Sequence, residues 1–345
     1  MGAFKYAVIG AAFEVLSLPG IARLVRACSR SKGVIFTLHR VLPGPPAEFS
    51  PNAILQITPQ FLDETIRRVR ALGIDIVSLD EAIRRLKSPE KTRRFAVFTF
   101  DDGYRDNLEY ALPVLRAHNC PFTLYVPTAL VDGVGEVWWQ ALEDIIAKVD
   151  TIEMGQGAEA ERFDTSTLAG KHAAYDVIYW RMRKMPEPDR VTLIRDLASR
   201  YGLNLNQHCR QLIMDWAELK TFADEPLCTI AAHTVHHCEL AKLDKDHAAG
   251  EIDQSIRIIH VQCGRKPDHL SFPIGGPASA GPREFELARD LGLHSAVTTR
   301  PGGLYADSDL CALPRVSLNG LFQKPRYVNV FATGAIFTIM GRLTG

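Results

Sequence analysis

Phe95-Ala96-Val97-Phe98-Thr99-Phe100-Asp101-Asp102-Gly103 runs from an unbroken apolar stretch into two adjacent carboxylates and a glycine. A short run that is apolar at every position reads as a strand buried on both faces, which is how strands of a parallel sheet look. The same pattern recurs at 34–38, 75–77, 122–126, 228–232, 270–272 and 295–298, giving at least seven strands. Between them lie helical patterns. The clearest is 58–72, where Phe61, Ile66, Val69 and Leu72 recur at helical spacing, and 107–118 and 191–201 read the same way. Strands alternating with helices predict an α/β fold built of βα units around a parallel sheet or barrel.

The rhythm breaks between Gly133 and Glu225, a stretch holding Trp138, Trp139, Trp180 and Trp216 and a polar link from Gly155 to Ala160. It reads as a helical insertion, about 133–225, of the kind that builds the rim of a site. Residues 1–32 read as an amino-terminal helical segment, 33–320 as the barrel and 321–345 as a helical tail. The apolar run 7–18 follows Lys5, is broken by Glu14 and meets Arg23 and Arg26 without a clean cleavage pattern. It is expected to form an amphipathic helix resting on a surface, with peripheral membrane contact among its uses. The run 328–340 falls short of the roughly 20 residues a membrane span needs and is expected to pack as a terminal helix. No transmembrane segment is expected.

The chain has 345 residues, 46% hydrophobic and 23% charged, so disordered and fibrous classes drop out. Forty basic residues balance forty acidic ones, which removes the positive field that a nucleic-acid partner requires. Seven cysteines form no C-x-x-C pair and leave one over in any disulfide scheme. Cys120, Cys228, Cys238 and Cys311 are expected as small buried hydrophobes, and the location as cytoplasmic, with an exported or membrane-associated form as the alternative.

Three sites carry chemistry. Asp101 and Asp102 follow a strand, and because successive side chains alternate, one can bind a cation while the other serves beside it as a base. A solvated Asp-Asp-Gly turn is the plainer reading of the tripeptide alone. His233 and His237 flank Thr234-Val235-His236 after another strand, and a helix starting at Thr234 would let them converge on one metal ion. With Asp102 they make a two-histidine, one-carboxylate set suited to zinc or a similar divalent cation in a hydrolytic site. His39, just past the first barrel strand, is expected to protonate a leaving group. Pro273-Ile274-Gly275-Gly276 reads as a loop shaping a groove wall.

Taken in order, T-F-D-D-G at 99–103, H-T-x-x-H at 233–237 and F-P-x-G at 272–275 resemble the polysaccharide deacetylases of carbohydrate esterase family 4, the NodB homology group that includes chitooligosaccharide deacetylases. The resemblance covers about 33–318. It implies a distorted (β/α)7-type barrel with a metal-dependent N- or O-deacetylase site, read here as a hydrolase removing acetyl groups from N-acetylglucosamine-containing oligo- or polysaccharide with one divalent ion, expected to be zinc. It further implies Asp101 as general base, Asp102, His233 and His237 as metal ligands, and Pro273 in a groove-forming loop. Many members open the third motif with an Arg where this chain has Ser271, and Arg315 is expected to take over its task of holding the base carboxylate. Some members carry the acid histidine after their first strand, the place of His39. A backbone N–H near Tyr104 is expected to help hold the oxyanion, and Trp138 or Trp139 to stack on a sugar face. An O-acetyl esterase, an amidase of a small C–N compound and a non-catalytic carbohydrate-binding protein on the same scaffold are the alternatives.

Overall fold

Eight strands of one all-parallel sheet carry the chain from Gly33 to Ser317: β1 (Gly33–Leu38), β2 (Asp75–Ile76), β3 (Phe95–Phe100), β4 (Phe122–Val126), β5 (Cys228–Ala232), β6 (His269–Ser271), β7 (Ser295–Val297) and β8 (Val316–Ser317). The computed structural model describes residues 2–90, 92–155 and 160–334. The strand order is β7-β6-β5-β4-β3-β1-β8, with β2 paired to the first two residues of β3. The sheet curls until its two ends meet through 313–317. Leu313 exchanges backbone hydrogen bonds with the carbonyl of Ala296 and the amide of Thr298 at 2.9 and 2.8 Å, and Val316 then pairs with Phe36. The result is the distorted α/β barrel expected above, with an eighth strand too short to read as one.

Period-two alternation sorts each strand into an inner and an outer row. Ile35, Val97, Tyr125, Ala231, Val297 and Leu313 form one buried cluster inside the curl. Val34, Phe36, Ala96, Phe98 and Phe122 belong to a second, under the surrounding helices. Each large side chain so buried contributes about 1.5–3 kcal/mol, which is why nearly every strand position is apolar.

The helix Pro59–Ala71 starts as its sequence requires, with the Thr58 hydroxyl accepting from the Phe61 amide and Pro59 at its first position. The segment expected as one helix at 107–118 begins instead with a wide turn, Asn107–Ala111, before regular helix Leu112–Ala117. Pro113, which offers no amide to the preceding turn, lies at that junction. The insertion between β4 and β5 contains helices Trp138–Lys148, Leu168–Met182, Glu187–Arg200, Leu205–Leu212 and Trp216–Ala223, and an antiparallel strand pair, Thr151–Met154 with Glu161–Asp164.

The amino-terminal segment is two helices, Gly2–Leu16 and Pro19–Cys28, parted where Pro19 ends the first pattern. Of the expected tail helix only Val328–Phe331 is seen; 335–345 lie outside the described residues. Among the described residues no helix is long and apolar enough to cross a membrane. Cys120, Cys238 and Cys311 are buried as expected, while Cys228 is half-buried, because the strand it opens meets the surface there.

Candidate active site

The inner row of the barrel turns polar at its carboxyl-terminal end. Continuing by twos from the apolar layer, Ile35 leads to His39, Val97 to Thr99 and Asp101, Ala231 to His233, and Leu313 to Arg315. The site is thus the last layer of the barrel interior.

Asp101 and Arg315 are its innermost pair. The guanidinium donates to both carboxylate oxygens at 2.7 and 2.6 Å, to the Thr298 carbonyl at 2.9 Å, and to the hydroxyls of Ser271 and Thr99 at 2.9 and 3.2 Å. Burial is the largest influence on the Asp101 carboxyl and pushes it up. The charge and paired bonds of Arg315, helped by His233 and His39, outweigh it and hold the group below the usual carboxylate range. Ser271, standing where an arginine opens the motif in many members, bridges the pair by bonding to Asp101 as well, at 3.3 Å.

Asp102 sits on the other side of the turn, with φ at +73°, followed by Gly103 at +72°. A Cβ on Gly103 would also approach Val126 to 3.3 Å, so glycine suits the position twice over. The Oδ1 atom of Asp102 is buried with no hydrogen-bond partner, and lies 3.4 Å from Nε2 of His233 and 3.3 Å from Nε2 of His237. Ligand atoms about 2.0–2.1 Å from a tetrahedral ion stand roughly 3.3–3.4 Å apart, so this orphaned triangle fits a divalent cation. His233 donates through Nδ1 to the Ser271 carbonyl at 2.6 Å, which leaves Nε2 with the lone pair that a ligand needs. Burial lowers the basicity of His237 against the pull of Asp102 and keeps its ring neutral. For Asp102 burial again opposes ionisation, and the two imidazoles override it, leaving the carboxyl well below its usual range. The three residues form a metal-capable group.

No helix brings the histidines together, contrary to expectation. Residues 233–239 form a loop in which Thr234 and His237 take φ of +63° and +55°. That backbone is costly for a β-branched residue such as Thr234, and it is held from outside. Glu251 accepts from the amides of Val235 and His236 at 3.0 and 2.9 Å and from His236 Nδ1 at 2.6 Å, which is why His236 points away from the triangle.

A cavity of about 230 Å³ opens over these groups, lined among others by His39, Asp101, Asp102, His233, Trp138 and Trp139. Trp139 lies against His237, ring centres 4.9 Å apart, and Trp138 stacks on Tyr179 at 5.2 Å.

The polysaccharide deacetylase family model matches residues 88–152 and 182–296, more than half of the chain, and these segments carry Asp101, Asp102, His233 and His237. The chain belongs to the polysaccharide deacetylase family. It is a hydrolase of that type, acting on the C–N bonds of acetylated sugars. Solved structures support the fold. The Streptococcus pyogenes deacetylase PplD, in complex with acetate, is similar at 16% identity and a TM-score of 0.58 over 87% of this chain and 98% of that one. IcaB from Ammonifex degensii gives 17% and 0.53 over 86% and 96%, and the deacetylase domain of BpsB from Bordetella bronchiseptica 16% and 0.51 over 82% and 94%. No curated protein matches by sequence.

In this deacetylase the loop expected to shape a groove wall reaches the cavity, through Ile274, and the Tyr104 side chain does not. Tyr104 is fully buried beside the cavity, its hydroxyl accepting from the Trp139 indole at 2.9 Å, so its side chain orients Trp139 and does not line the cavity. Pro273 is buried in its loop, and the next residue, Ile274, with φ at +62°, reaches the cavity. A Cβ on Gly275 would come within 2.7 Å of the Thr299 amide, which explains the glycine that follows. Sequence reasoning did not reach Asn52, Ile54 and Leu55, on the short 3-10 helix Pro51–Leu55 tied down by Glu143 through the Asn52 amide at 2.7 Å, nor Tyr179 and Thr299. For Thr299 a signal existed: it continues the inner row from Val297.

Proposed function

We propose that this deacetylase removes the N-acetyl group from N-acetylglucosamine units of an oligo- or polysaccharide, chitooligosaccharide in class, with one divalent ion, zinc, held by Asp102, His233 and His237. The observation that supports this most is one cavity bringing together a buried ligand triangle, an ionised carboxylate locked on Arg315, and a histidine. When bound, the ion supplies a Lewis acid for the acetamide carbonyl and a more acidic water.

The chain's own residues do the rest. Asp101 takes up the proton of the attacking water at Oδ1, the oxygen that keeps a lone pair after Arg315 and Ser271 have bonded. Arg315 keeps that carboxylate ionised and aimed. His39, half-buried at the end of β1 and facing the cavity, gives its proton to the leaving amine. Trp138, Trp139 and Tyr179 offer flat apolar faces to a sugar ring. A cytoplasmic location belongs to the same reading, supported by the odd cysteine count.

The test is acetate release from acetylated chitooligosaccharides, acetylxylan and peptidoglycan fragments by metal-loaded protein. Turnover of the first above the other two is expected. Preference for acetylxylan would overturn the N-acetyl assignment.

A further inference from the structure

The amino-terminal helix pair takes no part in the cavity, and its outer face is of a different kind. Phe13 anchors the pair by packing on Phe322, Tyr327 and Phe331, with ring centres 4.9–5.5 Å apart, and Glu14 bonds to Lys324, Arg326 and Tyr327. The face turned away from that anchor is bare. Val15, Leu18 and Leu24 are 53%, 53% and 65% exposed. Arg23 and Ala27 lie beside Leu24 on the exposed side of the second helix.

Next to it is a cleft of about 480 Å³ lined by Arg23, Arg26, Arg93 and Arg94, with Gly73 and Ile74 at its base. The hydrogen bonds made by Arg26 and Arg94 go to neutral acceptors: Arg26 to the Leu72 carbonyl at 2.6 Å, and Arg94 to the carbonyls of Arg26 and Ser29 at 3.1 and 2.5 Å. Such bonds fix the side chains and neutralise nothing. The carboxylate seen near them, Asp75, stands 3.9 Å from Arg93 and is already engaged by Arg85 at 2.8 Å. Burial and the charge of Arg26 push Arg94 below the usual arginine range, as crowded cations should.

Guanidinium groups match phosphate in charge and in hydrogen-bond geometry. A free phosphate ion, however, makes no use of exposed leucines beside the cleft. A bilayer meets both needs, with phosphate at its surface and acyl chain just beneath. We propose that the helix pair docks on an anionic phospholipid membrane, with Val15, Leu18 and Leu24 at the headgroup–acyl boundary and the arginine cleft receiving a headgroup phosphate. The contact is peripheral. Gly73, Ile74 and Arg94 precede β2 and β3, whereas the catalytic layer follows the opposite ends of the strands, so docking leaves the cavity open to solvent.

The experiment is co-sedimentation of the full chain with phosphatidylcholine vesicles, with and without phosphatidylglycerol, across a salt series. Binding is expected only to the anionic vesicles and is expected to weaken with salt. Arg23→Ala with Arg26→Ala should cut it about 25-fold, from roughly fivefold per arginine near an anionic surface. Leu18→Asp with Leu24→Asp should abolish it, and both double variants should keep the wild-type circular dichroism and acetate release. Equal binding to both vesicle types overturns the proposal. So does a leucine variant that sediments like wild type while inorganic phosphate displaces the protein, since the cleft is then a site for the free ion. Sedimentation does not depend on turnover, so failure here leaves the catalytic reading untouched.

Discussion

Replacing Arg315 by Met removes the guanidinium from Asp101 and leaves a carboxylate only 2% exposed. Its two charge-assisted bonds at 2.7 and 2.6 Å disappear, and burial, already the largest influence on the group, meets only the weaker fields of His233 and His39. Breaking a buried pair from one side costs about 3–5 kcal/mol, unless the stranded group takes up a proton. The native sign is that of a depressed acid. Its stabilisation is present above the unfolded value of about 3.9 and is lost as pH falls through the lower folded value, so the base form is available throughout the neutral range. An adjacent arginine lowers a carboxyl by about 1–3 units, so the acid limb of kcat/KM should move up by about that much in Arg315→Met. Arg315→Lys keeps the charge without the fork and should fall between the two. The assay is kcat/KM against pH on a soluble acetylated oligosaccharide, with metal content and urea unfolding measured on the same samples. An Arg315→Met protein with the wild-type acid limb and undiminished stability refutes the claim that Arg315 sets the charge of Asp101.

Other residues give separable outcomes. Asp101→Asn should retain metal and lose about 10²–10⁴ in turnover, the usual contribution of a positioned base, and near-normal turnover points to another base. His233→Ala and His237→Ala should each lose bound metal while keeping the fold, because they delete ligands of the buried triangle; full stoichiometric zinc in both by elemental analysis sinks that assignment. His39→Ala should damage amide hydrolysis severely and hydrolysis of an activated aryl acetate much less, since a good leaving group needs little protonation. Equal losses on both substrates make His39 structural.

The strands were legible because a barrel buried on both faces demands long apolar runs, and the ligands were legible because they stand at the ends of those runs. Arg315 emerged only through the resemblance, although the alternation that runs from Leu313 places it in the same layer as Asp101. What sequence could not supply was the conformation of the loops. The spacing of His233 and His237 suits one turn of helix, yet the chain reaches convergence through left-handed backbone at Thr234 and His237, held by Glu251 from a helix well downstream. Periodicity carries no trace of such a tether. The cavity walls were partly hidden for a related reason: Asn52 and Tyr179 come from the 3-10 helix Pro51–Leu55 and an inserted helix, whose meeting depends on packing over long sequence separations.

The left-handed Thr234 has a consequence for anyone who engineers this protein. Non-glycine residues in such backbone cost about 1–3 kcal/mol each, so Thr234→Gly offers a simple gain in melting temperature. The same change loosens the segment that spaces His233 from His237, and the heat-resistant variant should turn over more slowly. Screening by thermal survival alone would therefore select against catalysis at this position, and a useful campaign has to score every stabilised clone for acetate release as well.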